Sequence, residues 1–125
     1  MNPHYSLVAQ RAAHRCEYCH APEAIFNFPF EVEHIVPLSK AGKDDAANLA
    51  LACRACNVHK GDSLTGPDEQ TSGDSRLFHP RQDNWEEHFA LDLEMGTIHG
   101  LTAIGRASVW RLQMNHPMQL TARLR

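Results

Sequence analysis

The chain has no apolar run approaching the roughly 18 residues that a membrane-spanning helix needs. Its first residues, Met1 to Arg11, lack the basic start and hydrophobic stretch of a secretory leader. The expectation is a soluble, cytoplasmic protein with no membrane partner. Positive charge is not in excess: 12 Lys and Arg stand against 15 Asp and Glu, a formal net charge of -3. That balance argues against the broad basic surface with which many proteins hold polyanions. No internal repeat is visible, which argues against a solenoid. With 42% hydrophobic and 22% charged residues the chain has ordinary globular composition and should fold. Its 125 residues suit one compact domain, 1–125, with a modest core. Cysteine is scarce, four in all. In so small a core these four matter, because small domains often rely on a metal or on disulfides.

Charge is spread unevenly. Residues 1 to 61 carry six acidic and six basic side chains, 62 to 94 carry nine acidic against two basic, and 95 to 125 carry four arginines and no acid. Phosphate contacts are therefore expected from the first segment and the C-terminal tail, and not from the acidic middle, which is a candidate protein contact.

Ser6 is placed to cap a helix running to about Arg15. Phe30 to Val36 begins with alternating apolar and polar residues and stops at Pro37, which reads as a strand. A polar loop over 39–45 follows, then a short strand over 48–52, and Arg54 to Lys60 forms a helix ended by Gly61. Thr65 to Asp74 is nearly devoid of apolar residues and is expected to be an exposed, mobile loop. Phe89–Leu93 and Thr97–Leu101 flank Glu94-Met95-Gly96 as a hairpin. Thr102 caps a helix to about Asn115, with Ala103, Ala107, Trp110 and Met114 as its core stripe.

The cysteines form two CxxC pairs, Cys16-Glu-Tyr-Cys19 and Cys53-Arg-Ala-Cys56. A two-residue gap lets both sulfurs of a pair face one tetrahedral ion, and four thiolates leave no open coordination position. The reading is a structural Zn²⁺. Disulfides and buried thiols are the alternatives, and a reducing cytoplasm disfavours the first. The 33 residues between Cys19 and Cys53 exceed the gap of a simple zinc ribbon and hold the densest chemistry in the chain.

There Glu33-His34-Ile35-Val36-Pro37, Asn48-Leu49 and Cys53 to Gly61, with Asn57 and Lys60 inside it, follow one another in the order of a known motif. The chain resembles the HNH endonuclease family across about 16–61. The resemblance implies an α+β domain with a small ββα-metal (His-Me finger) centre. About 76–125 is then a C-terminal hairpin-helix extension. It also implies hydrolysis of DNA phosphodiester bonds, with double-stranded DNA as partner. By the same resemblance His34 is the general base, Glu33 and Asn57 are ligands of a catalytic Mg²⁺ or Mn²⁺, and Asn48 holds the loop that orients His34. Lys60 is implied as a substrate contact. Glu33 stands where aspartate is common and Asn57 where the third histidine of the name would be, both familiar variants in the family.

The residue types support these roles on their own. Neutral imidazole accepts a proton near physiological pH. Carboxylate and amide oxygens suit a hard cation better than a soft one. Side chains alternate along a strand, so Glu33 and His34 can meet at one ion only if the strand bulges. Arg54, Arg106, Arg111, Arg123 and Arg125 are candidate phosphate contacts, with a solvated helix face as the alternative for Arg106 and Arg111. His59 either faces the metal or covers the helix. His79, before Pro80, is expected to shape a turn. The rival function is a non-catalytic zinc-knuckle nucleic-acid-binding module working through Arg54, Lys60 and the tail.

Overall fold

Alternation along Glu31-Val32-Glu33-His34 produces strand β1 (Glu31–His34), which pairs antiparallel with β2 (Leu49–Ala52) in the computed structural model, where residues 2–124 are described. The register runs from Glu31 opposite Ala52 to His34 opposite Leu49 without a bulge. All four β2 residues are buried. Helix α1 (Tyr5–Arg11) lies against both strands and α2 (Arg54–Lys60) against β1. The two strands and α2 are the ββα unit.

Helix α1 starts one residue before the expected cap. The Asn2 carbonyl accepts from Tyr5 N and its Oδ1 from His4 N, so Asn2 and not Ser6 organises the first turn. The helix stops at Arg11, because Ala13 and His14 turn left-handed, with φ of 54° and 56°. Helix α2 begins and ends where the sequence indicated. The Cys53 sulfur accepts from Cys56 N at its start, and Gly61, with φ of 53°, ends it.

The expected loop over 65–74 is instead a hairpin, β3 (Thr65–Asp68) with β4 (Gly73–Arg76). Its polar residues serve tertiary contacts that composition conceals. Asp68 is 1% exposed and bonded to the Arg106 guanidinium at 2.8 and 3.1 Å. Gly66 presses so closely on the next helix that a Cβ there would lie 2.8 Å from the Ala107 carbonyl oxygen. A one-turn helix, α3 (Trp85–His88), leads into the hairpin β5 (Phe89–Leu91) and β6 (Ile98–Gly100).

Thr102 caps α4 (Ala103–Leu112) by accepting from Gly105 N at 3.1 Å. Of its expected core stripe, Ala107 and Met114 are fully buried, but Trp110 is 42% exposed with the Arg111 guanidinium over its ring. Gly105, Ser108 and Leu112 face inward in its place. A further helix, α5 (Pro117–Arg123), has Pro117 in its first turn and His116 accepting from Met118 N. Proline just inside a helix start after a capping side chain was the available signal for it. Hydrophobic residues from the β1–β2 and β5–β6 hairpins and from the first and last helices share one core, from Val8 and Tyr18 through Leu51 and Phe89 to Leu112 and Ala122.

Candidate functional site

The two knuckles meet. Sγ atoms of Cys16, Cys19, Cys53 and Cys56 all lie within 4.8 Å of one another, with Cys19 and Cys53 3.7 Å apart. Sulfurs about 2.3 Å from a tetrahedral zinc stand roughly 3.8 Å apart, so the cage fits that ion. Cys19 N and Cys56 N point at the first sulfur of their own knuckles, at 3.5 and 3.4 Å. Hydrogen bonds from Cys16, Cys19 and Cys56 push the Cys53 thiol strongly down, whereas hydrogen bonding within the same cluster drives Cys19 and Cys56 up. Such a cage favours negative charge on Cys53 and resists it on Cys19 and Cys56, and a dication at its centre would offset that resistance.

Two contributors from outside the knuckles escaped sequence reasoning. Gln119 of α5 donates Nε2 to the Cys53 sulfur at 3.7 Å, and Arg123 donates to the Cys19 carbonyl at 3.2 Å. Gln119 carries no mark in local sequence pattern, and Arg123 is legible there only as a candidate phosphate contact, since both lie far from the cysteines along the chain.

Strand β1 divides the expected catalytic residues between its faces. Glu33, 4% exposed, accepts from Tyr18 Oη at 2.5 Å and from Lys60 Nζ at 2.5 Å. Lys60, 2% exposed, also donates to the Ile35 carbonyl at 2.9 Å. Burial raises the Glu33 carboxyl against the opposing pull of Lys60 and Tyr18. The expectations for both residues are therefore corrected. Regular pleating turns Glu33 away from His34, and both its oxygens are occupied, while Lys60 is sealed inside as its counter-ion and cannot reach a phosphate.

Asn57 projects from α2 and donates its amide nitrogen to Glu31 Oε1 at 2.9 Å, leaving its amide oxygen outside that bond. The other Glu31 oxygen is 3.7 Å from the exposed Arg54 guanidinium. His59 bonds the Ala55 carbonyl of its own helix through Nδ1 at 2.7 Å, so it covers the helix. It borders an apolar groove with Arg54, Phe28, Val58 and Met118.

His34 ends β1 with its ring partly covered and Nε2 2.9 Å from Asp44 Oδ1. Asn48, almost fully buried, accepts from Val36 N at 2.8 Å and donates to the Val36 and Lys43 carbonyls at 2.9 and 2.8 Å. It ties both ends of the turn that follows His34. Among the remaining expected contacts, Arg106 is the partner of Asp68 and Arg123 binds the carbonyls of Gly96, Cys19 and Met114, so both are structural. Arg111 donates to the Thr65 carbonyl at 3.2 Å, and Arg125 lies outside the described residues. His79 shapes a turn through Asp83 and Arg81.

A four-cysteine cage closed around an antiparallel hairpin and a short helix defines a zinc-knuckle ββα unit. The family model for HNH endonuclease matches residues 16–63, less than half of the chain but all of that unit. No curated protein and no solved structure matches the chain. Nuclease chemistry on nucleic acid is thereby supported at the level of the family. Among the described residues no helix is long and apolar enough to cross a membrane.

Proposed function

We propose that the chain is a metal-dependent endonuclease that hydrolyses DNA phosphodiester bonds, with double-stranded DNA as substrate and His34 as general base. The observation that carries this reading is the placement of His34. Its ring ends the strand of a family-matched ββα unit, and one nitrogen is engaged by a carboxylate while the other stays clear of that contact. His34 takes a proton from water for in-line attack on phosphorus. Asn48 serves by holding the turn behind the ring.

For a hard divalent cation Glu31 and Asn57 are assigned as adjoining oxygen donors in place of the expected Glu33 and Asn57, because Tyr18 and Lys60 occupy both Glu33 oxygens; Glu31 shares with Glu33 the face of β1 that is turned from the His34 ring. Glu33 reaches a cation only by giving up Lys60. A bound Mg²⁺ or Mn²⁺ supplies neutralisation of the charge developing on the phosphoryl oxygens. Arg54 is the exposed cation nearest these donors and is assigned to a substrate phosphate. A reducing, cytoplasmic setting belongs to the same proposal, resting on a cage that works as thiolates.

One observation favours the rival binding module: the burial of Glu33 removes the acid that the motif places next to the base. Plasmid nicking by zinc-loaded protein with Mg²⁺ or Mn²⁺, against EDTA and His34→Ala, separates the readings. Metal-dependent nicking lost in His34→Ala is expected. DNA retention in a mobility-shift assay without cleavage under any divalent ion establishes the module instead.

A further inference from the structure

The turn between β1 and β2 is built to deliver one carboxylate. Asn48 clamps it at Val36 and at Lys43, the residue before Asp44. Gly42 lies so close to the strand end that a Cβ there would sit 1.8 Å from the Val36 carbonyl oxygen, so no larger residue fits the closure. Asp44 emerges from this turn with Oδ1 2.9 Å from His34 Nε2, although its side chain is 60% exposed. An exposed carboxylate on a free loop samples many rotamers. Here the backbone on both sides is tied by the buried Asn48 side chain, and the His34 backbone is held opposite Leu49 in the strand pair. His4, just before α1 and outside the matched segment, brings Nε2 to 3.6 Å from the other Asp44 oxygen, beyond hydrogen-bonding distance.

We propose that Asp44 is a positioning residue for His34: it accepts the Nε2 hydrogen, fixes that tautomer, and so leaves the Nδ1 lone pair to take the proton from water. An ionised carboxylate has no proton to donate, so the hydrogen between the two groups belongs to Nε2. In the hydrolysis, an O–H bond of water breaks as Nδ1–H forms, and the water oxygen bonds to phosphorus as the P–O3′ bond breaks. The 3′ oxygen takes a proton from solvent. The imidazolium formed in that step keeps Asp44 as its counter-charge, an arrangement that serves histidine bases on other folds. The inference rests on the nuclease reading but adds a residue to it.

The test uses the full zinc-loaded chain on supercoiled plasmid, comparing wild type, His34→Ala, Asp44→Asn, Asp44→Glu and Asp45→Asn. Asp45 is exposed, and its side chain does not cap the turn it precedes, so its replacement removes the same charge one residue away. Asp44→Asn should lower kcat about 10–100-fold with KM changed less than about twofold, as expected when the orienting partner of a histidine is lost. Asp44→Glu should recover part of the rate, and Asp45→Asn should cleave like wild type. Nitrogen-15 spectra of the His34 ring should show the Nε2–H tautomer in wild type and lose that preference in Asp44→Asn, which a merely structural residue does not predict. A wild-type kcat in Asp44→Asn, an equal loss in Asp45→Asn, or an unchanged tautomer overturns the role of Asp44 while His34→Ala still reports the base. Absence of cleavage by wild type overturns the nuclease reading, and the duty of Asp44 with it.

Discussion

Replacing Lys60 by methionine isolates the buried polar triad of Tyr18, Glu33 and Lys60. Both charged members are almost wholly buried, and each carboxylate oxygen has one partner. Methionine keeps the apolar stem of lysine but leaves Glu33 with only the Tyr18 hydroxyl. Removing one member of such a pair costs about 3–5 kcal/mol, because the surviving charge stays desolvated. Against a total of roughly 5–15 kcal/mol for a domain, that is a large share. At about 3–5 °C per kcal/mol for a chain of this size, the melting temperature should fall by roughly 10–20 °C. The assay is urea and thermal unfolding of the zinc-loaded protein. Glu33→Leu combined with Lys60→Met should be more stable than Lys60→Met alone, because no unpartnered charge remains. The sign of the pH effect is fixed too. Burial already raises the Glu33 carboxyl, and without Lys60 it rises further, so the folded state binds its proton more tightly than the unfolded chain does. Stability gained by that protonation is present at low pH and lost as pH rises through the folded value, so the Lys60→Met deficit should be larger at about pH 8 than at about pH 6. A Lys60→Met protein within about 1 kcal/mol of wild type across that range would refute the triad as described.

Other outcomes follow from the same geometry. The chain should bind one Zn²⁺ in the four-cysteine cage, and a strong chelator should abolish its cooperative unfolding, read by metal analysis and circular dichroism. Asn48→Ala removes three hydrogen bonds from a buried position and should cost about 2–4 kcal/mol in urea unfolding, with a loss of nicking even where the protein is folded. Neither tyrosine should ionise near its ordinary value of 10 in the native state: the hydrogen bond to Glu23 holds Tyr5 up to about 12, and burial raises Tyr18. The Tyr5 contribution to stability is therefore present below pH 10 and lost as pH rises through about 12, and a full tyrosinate absorbance change near pH 10 in folded protein would contradict it. Mn²⁺ binding, followed by electron paramagnetic resonance, should weaken in Glu31→Gln and much less in Glu33→Gln, the reverse of the order that the motif alone suggests.

What the sequence disclosed was chiefly local. The CxxC gaps, the cap at Thr102 and the glycine after Lys60 act over a few residues, and each appears in the structure where it was read, while the strand read over Phe30 to Val36 forms over Glu31–His34. The strict period of two in β1 was itself the warning about Glu33. The motif named the residue, but pleating decided which way it points. What stayed hidden depends on partners distant in the chain. Asp68 looked like a loop acid because Arg106, 38 residues on, was needed to bury it. Lys60 looked like a phosphate contact because its counter-ion sits 27 residues earlier on the inward face of a strand. Asp44 attracted no notice in a polar stretch, since only the closure of that turn by Asn48 brings it to the histidine ring.

The contact between Arg123 and the Cys19 carbonyl spans 104 residues, whereas the cage itself closes over the 33 residues between its knuckles. Each doubling of a loop adds only about 0.6 kcal/mol to closure, so the wider span costs roughly 1 kcal/mol more in entropy than the narrower one. The difference lies in timing. During synthesis both knuckles have emerged long before the last helix, so the metal can be captured by a half-made chain and its surroundings completed afterwards. Helix α5 then acts as a latch set last: its Gln119 and Arg123 lie beside two of the four cysteines, and zinc should leave a chain truncated before Pro117 faster than it leaves the whole protein.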